Sequence, residues 1–355
     1  MKYFFVGPLI PPVTGQSLAF SRFVESISIN KKIVLDTNYE NKSILVKIFF
    51  SIKTLLIIFL RALFNDYHLV YFTCSRSILG SIKDILLINL ASFKKKKIIN
   101  HLHGSDFYEF LHNSPKWYRK ILFKSYDKVD ISIVLVESMK LQFRDFKSMK
   151  IEVIENFYDE ELDHEIVKKD NTKLSLLYLS NIMVSKGIFE LIDAFERLEK
   201  KNDNIILNIA GDYLSDEHMS ANKVKKKFEE RLFKNNKIKY LGKIFGLDKI
   251  KLLQSSDIFV LPSYKEAFPI SIIEAMISRN AIVVTNQKYI SEVLTSKNGV
   301  LVQKKSVESL VEAIQFLINN KQELIQIQNY NRQVAKEKFS KKKYLKKLEQ
   351  IVLNV

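Results

Sequence analysis

Cysteine is almost absent from this chain. One residue in 355, Cys74, is a thiol, which excludes an internal disulfide framework and a cysteine-built zinc site and fits a reducing compartment. Glycine and proline are scarce too, at nine and six residues, far below the share that marks collagenous or low-complexity chains. With 47% hydrophobic residues the sequence reads as ordered and globular, and its length suits two domains at about 150 residues each. A secretory signal is not seen at the start. M-K-Y-F-F-V-G-P has the pattern of a short strand entering a Gly/Pro loop, without a charged region and a long apolar stretch. The expected location is cytoplasmic.

Acids are the minority among the charges. The formal charge is +17, and residues 1–150 hold 23 Lys and Arg against 11 Asp and Glu, so 23 minus 11 gives +12 in that half. Such a surplus suits nucleic acid, anionic lipid or a phosphorylated ligand. No nucleic-acid motif and no basic-aromatic recognition strand is found, so nucleic acid is not an expected partner. One segment bears on the lipid alternative. Ser43 to Phe64 is nearly long enough to span a bilayer, but Lys47, Lys53 and Arg61 interrupt it, and charges at mid-depth are costly. On a helical wheel Ser43, Lys47, Ser51, Thr54 and Arg61 form one narrow stripe. Three readings follow: a core helix with a thin solvated edge, a helix resting on a membrane with its bases at the headgroups, or, last in order, a true transmembrane span.

Short apolar runs alternate with helical stretches along the whole chain, the pattern of parallel sheets with crossover helices. The alternation lapses once, over residues 157–173, a charged stretch that reads as a linker. The expected domains are therefore 1–160 and 173–334, with a basic helical tail at about 335–355 that packs back on the first. Ligands in such folds gather at the carboxyl ends of the strands.

Several residues at those ends have chemical promise. In Y-K-E-A-F-P-I-S-I-I-E-A-M, Glu266 sits at the start of a helix, where a carboxylate complements the helix dipole. Glu274 lies among Ile272, Ile273, Ala275 and Met276, where a buried carboxylate needs hydrogen-bond donors; vicinal sugar hydroxyls are one source. Lys186, followed by Gly187, enters a helix, so its ammonium and the free amides suit phosphate. His103 closes a strand before Gly104.

Four stretches in this order resemble the family-4 glycosyltransferases, retaining enzymes of the GT-B fold: G-P-L-I-P-P-V-T-G-Q-S, H-L-H-G-S-D-F, L-S-N-I-M-V-S-K-G with A-G-D, and L-P-S-Y-K-E-A-F-P-I-S-I-I-E-A-M. The resemblance implies an α/β architecture of two Rossmann-like domains whose parallel sheets face each other across a central cleft. It implies transfer of a sugar from a UDP- or GDP-activated donor, with no cofactor and no metal, to a glycan or polyprenyl-linked acceptor. Bacterial surface polysaccharide, such as lipopolysaccharide O-antigen or capsule, is the expected setting, with the protein peripheral on the inner face of the cytoplasmic membrane.

The resemblance also distributes roles. Lys186, Glu266 and His103 form the expected catalytic set: Lys186 on the phosphates, Glu266 on hydroxyls of the transferred sugar, His103 orienting that sugar rather than serving as general base. Glu274 is expected to hold the ribose diol, with Asn181, Gly15, Gly187, Gly211, Phe268 and Ile270 completing the donor side. Asp106 and Arg76 are expected on the acceptor side. His101 and His112 read as structural. Three departures from the family pattern stand out. Asn181 replaces a common Arg, Thr14 replaces the first glycine of a Gly-Gly loop, and Gln287 to Glu292 reads Q-K-Y-I-S-E where the family often has Gly-Gly before its Glu. These keep a second reading open, a non-catalytic GT-B subunit that binds a nucleotide sugar or a partner enzyme.

Overall fold

A computed structural model describes residues 2–27, 32–38, 44–164 and 172–354, with the backbone alone over 44–48. The chain divides into two compact units, Met1–Glu155 with Lys342–Val355, and Asn156–Lys341.

The first unit runs β1 (Tyr3–Gly7), α1 (Gly15–Ser26), β2 (Lys32–Asp36), α2 (Ile44–Phe64), β3 (Leu69–Thr73), α3 (Ile78–Phe93), β4 (Lys97–His101), α4 (Phe107–Asn113), α5 (Lys116–Tyr126), β5 (Ile131–Val134) and β6 (Lys150–Val153). Its sheet has the order β2-β1-β3-β4-β5-β6, parallel at every pairing. β1 and β3 are buried at all five positions, as expected of parallel strands covered by helices on both faces. Right-handed crossovers place α1 on one face of the sheet and α2, α3 and α5 on the other. The strand order reverses between β1 and β3, so the loops that follow these two strands flank the switch point where doubly wound folds bind ligands. Gly15 lies just beyond the first of those loops and Arg76 within the second.

The second unit runs β7 (Leu174–Leu179), α6 (Ile188–Leu198), β8 (Ile205–Ala210), α7 (Ala221–Leu232), β9 (Ile238–Tyr240), α8 (Gly246–Ser255), β10 (Ile258–Leu261), α9 (Ile270–Ile277), β11 (Ala281–Thr285), α10 (Lys288–Ser291), β12 (Gly299–Val302), α11 (Val307–Asn319) and α12 (Lys321–Lys338). The sheet order is β12-β11-β10-β7-β8-β9, again parallel throughout. Here the order reverses between β10 and β7. The loop after β7 carries Lys186, and the loop after β10 carries Glu266. α13 (Lys341–Leu353) returns almost wholly to the first unit and buries Tyr344, Leu348 and Val352, one residue per turn.

Three expectations need correction. The charged stretch after residue 157 is not all linker: Phe157, Tyr158 and Leu162 are buried. Asp159 and Asp163 accept from Lys341 and Arg332 at 2.9 and 3.0 Å. Its acids found partners within the second unit; residues 165–171 lie outside the described set. The division therefore falls at Glu155/Asn156 rather than near 160. The tail divides similarly, because the end of α12 stays with the second unit and the return begins at Lys342. In α2 the polar stripe is not solvated throughout: Ser51 is exposed, but two of its members face the fold. Thr54 is buried, and Arg61 Nη1 turns inward to donate to the Val34 carbonyl at 3.1 Å. Ser43 and the Lys47 side chain lie outside the described residues.

Candidate functional site

Lys186 ends a short 3-10 turn, Val184–Lys186, and Gly187 then takes a left-handed conformation, φ 72°, to open α6. Only glycine fits there: a Cβ on Gly187 would overlap the Pro262 carbonyl at the end of β10. The close approach pulls the β7 and β10 loops together. Tyr264 N–H donates to the Ser185 carbonyl at 2.8 Å, and the Asp216 carboxylate accepts from Ser185 N–H at 2.7 Å. Burial opposes the Asp216 charge, but N–H donors from Ser185, Met219 and His218 outweigh it and hold the carboxyl below its ordinary range. Across this frame Lys186 Nζ pairs with Glu266 Oε1. The two catalytic candidates of this unit, 80 residues apart in sequence, are neighbours.

Gln287 was not anticipated in any role. Its Oε1 accepts from Glu266 N–H and its Nε2 donates to the Ser263 carbonyl, both at 2.7 Å. One amide thereby bridges both ends of the Ser263–Glu266 loop. The Q-K-Y-I-S-E stretch that departs from the family pattern thus supplies the loop's anchor. Tyr264 Oη donates to Glu190 Oε1 at 2.5 Å. Burial and the Glu190 carboxylate raise the tyrosine's pKa, so it remains a donor.

Glu274 lies on α9 and is 4% exposed. Its partner was not anticipated: Lys249 of α8, whose Nζ is 2.6 Å from Glu274 Oε1. Gly211 follows β8 with its Cα against the Ser180 carbonyl, where a Cβ would overlap. It thereby adjoins Asn181, whose carbonyl accepts from Tyr178 Oη at 2.8 Å. Phe268 and Ile270 are buried. The Phe268 ring packs on Phe339 with centroids 5.5 Å apart, and its carbonyl accepts from Asn156 at 2.7 Å. Its side chain belongs to the core, which leaves only its backbone N–H for a ligand.

In the first unit, Thr14 is the N-cap of α1. Its hydroxyl accepts from Ser17 N–H at 3.1 Å, and Ser17 Oγ accepts from Thr14 N–H at 2.8 Å. This reciprocal capping box gives the residue that replaced a glycine a local role, with Gly15 as first helical residue. The His103 and His101 rings stack at 4.0 Å. His101 is buried and shares a 2.6 Å hydrogen bond with Tyr71 Oη, in keeping with a structural role. Both His103 ring nitrogens are buried and have no hydrogen-bond partner among the described residues. Burial, with the Arg76 charge adding to it, lowers the His103 pKa to about 3. Its imidazole is neutral at physiological pH and only weakly basic. Arg76 crosses Gly104, where a Cβ would overlap the guanidinium, and meets Asp106 Oδ1 at 2.5 Å. His112 pairs with Asp145 at 2.8 Å, away from this group in role.

The chain that carries these loops is similar to known proteins. Residues 159–334, almost the whole of the second unit, match the model of the glycosyl transferases group 1, and this unit belongs to that family. An uncharacterized glycosyltransferase of Methanocaldococcus jannaschii is 29% identical over 316 residues, 82% of this chain and 78% of that protein. The N,N'-diacetylbacillosaminyl-diphospho-undecaprenol alpha-1,3-N-acetylgalactosaminyltransferase of Campylobacter jejuni is 28% identical over 184 residues, 51% of this chain and 46% of its own length. Among solved structures, Anabaena HepE in complex with UDP-glucose superposes with a TM-score of 0.76 over all of both chains at 15% identity. That likeness concerns the fold, and with the two six-stranded parallel sheets it defines the GT-B class.

Proposed function

We propose that this protein is a retaining glycosyltransferase that moves a sugar from a UDP- or GDP-activated donor to a glycan or polyprenyl-linked acceptor. The observation that carries the reading is the Lys186–Glu266 pair between loops at a topological switch point. An ammonium has three donors, so Lys186 can turn toward a diphosphate while Glu266 exchanges its partner for sugar hydroxyls. Each charge is then used where it is needed. Lys186 neutralises the negative charge that grows on the leaving nucleotide, an interaction strongest in the transition state. Glu266 orients the sugar, and Glu274 takes the ribose diol.

On the first unit, neutral His103 suits a hydrogen bond to a sugar hydroxyl, and its low basicity argues against a general-base role. Arg76 and Asp106 are assigned to the acceptor, and the leaving phosphate is assigned the acceptor's proton. Among the described residues, no group of three or more His, Cys, Asp or Glu is placed to hold a metal ion, and the reading gives charge neutralisation to Lys186 without one. A polyprenyl-linked acceptor is supported by the Campylobacter relative's name and by the +12 of residues 1–150. Surface-polysaccharide assembly at the inner face of the cytoplasmic membrane is the corresponding setting.

A thermal-shift panel of UDP-, GDP-, TDP- and CMP-sugars tests the donor half directly. One UDP- or GDP-sugar should raise the melting temperature, and Glu274→Ala should diminish the shift at the same donor concentration. Stabilisation by none of them, or an undiminished shift in the variant, contradicts the reading.

A further inference from the structure

On the first unit, α3 packs against both α2 and α5, so the three helices form one continuous layer. The outward side of that layer is apolar to a degree that water does not explain. Phe64 of α2, Leu79 and Phe93 of α3, and Trp117 of α5 are 74%, 76%, 79% and 67% exposed. Along α2, Phe49, Ile52, Leu56, Leu60 and Phe64 recur three and four residues apart and are all exposed, which defines one face of the helix. Of the polar groups of α2, Thr54 is buried and Arg61 is bonded to a strand carbonyl, while Ser51 and Lys53 share the exposed side. A face this rich in large apolar groups departs from the usual amphipathic surface helix.

The charges of the layer are equally one-sided. α2, α3 and α5 contain eight Lys and Arg and a single acid, Asp84, and Asp84 is fully buried, accepting from Tyr126 Oη and Ser75 N–H. No exposed carboxylate lies on any of the three helices, while Lys53, Lys116, Lys120 and Lys124 are exposed. Apolar side chains among long bases, with acids excluded, match the interface of an anionic bilayer: the rings and branched chains enter the acyl boundary while the ammonium groups stay among the headgroups. A nucleic-acid backbone would use the bases and leave the apolar groups in water. No helix among the described residues is long and apolar enough to cross a membrane.

We infer that the outer face of α2, α3 and α5 is a docking surface for anionic lipid, which lies on the bilayer without entering it deeply. The inference deepens the proposed use of a polyprenyl-linked acceptor and rests on that reading for its purpose, but its test does not require transfer. Trp117 is the chain's single tryptophan, so the unaltered protein reports on its own docking. Vesicles of phosphatidylcholine with about one third phosphatidylglycerol, some carrying brominated acyl chains, are mixed with the protein at low and high salt.

The expected result is co-flotation with the anionic vesicles, quenching of Trp117 by the brominated chains, and loss of both as salt screens the bases. Phe64→Ser/Leu79→Ser/Phe93→Ser and Lys116→Glu/Lys120→Glu/Lys124→Glu should each weaken flotation at least tenfold. Both should keep the wild-type melting temperature and vesicle-free donor hydrolysis. Flotation without Trp117 quenching overturns the inference, because another surface then docks. It is equally overturned by no flotation at any salt, by undiminished flotation of both variants, or by a wild-type dimer that the serine variant makes monomeric while flotation is unchanged. Loss of flotation with intact hydrolysis, and the reverse, separate failure of the surface from failure of the transferase reading.

Discussion

Lys249 Nζ lies 2.6 Å from the Oε1 of Glu274, a carboxylate that is 4% exposed in the most apolar helix of the second unit. A buried charge left without its partner is costly, and removing one member of such a pair costs more than removing both. Lys249→Met should therefore lower stability by about 1–3 kcal/mol, and Glu274→Gln in that background should recover most of it. A denaturant double-mutant cycle checks this, with the non-additivity as the readout. Independent, additive losses would mean that the pair is not coupled.

If Glu274 also holds the ribose diol, Glu274→Ala removes hydrogen bonds present in both the ground and transition states. The donor KM should rise about ten- to a hundredfold, with a smaller change in kcat. Steady-state kinetics with varied donor separate the two. A pure kcat loss would assign Glu274 to the chemical step instead.

Gly187→Ala places a Cβ at a left-handed φ and against the Pro262 carbonyl. The expected cost is about 1–3 kcal/mol of stability, with a fall in kcat as Lys186 is displaced. Gln287→Ala should act more gently on the same loop, raising the donor KM with little effect on the melting temperature. Wild-type kinetics in both variants would show that the Lys186–Glu266 frame needs neither anchor.

His103 gives a pH prediction whose sign follows from its environment. Folded, it stays neutral down to about pH 3, whereas unfolded it takes up a proton near its ordinary 6.5. Between those values the unfolded state binds more protons, so this stability is fully present above about pH 6.5 and is lost as pH falls toward about 3. His103→Asn should flatten part of the decline in melting temperature between about pH 7 and about pH 5. An unchanged slope would place the linkage elsewhere. In the pH–rate profile of kcat/KM, no ionisation between about pH 5 and 8 should disappear in this variant.

Much of this architecture was legible because parallel strands are written as local signals. Runs such as Y-F-F-V, L-V-Y-F-T and I-F-V-L sit between helical stretches, and their order fixed the class of fold. Lys186 and Glu266 were legible for the same reason, since each follows a strand end. Lys249 and Gln287 were not, because their partners lie 25 and 21 residues away in sequence and neither falls in a local pattern. In α2 the expected solvated stripe holds at Ser51, which is exposed, but not at Thr54 and Arg61, which face the fold. The charged stretch near residue 160 looked like a linker because its acids' partners, Arg332 and Lys341, come from the far end of the second unit.

The most direct test is release of nucleoside diphosphate from the stabilising nucleotide sugar, without acceptor, by the wild-type protein and by Lys186→Ala. The account predicts slow but measurable hydrolysis by the wild type, insensitive to EDTA, and a fall of about a hundred- to a thousandfold in the variant, with the donor still bound. Equal rates in the two proteins would contradict it.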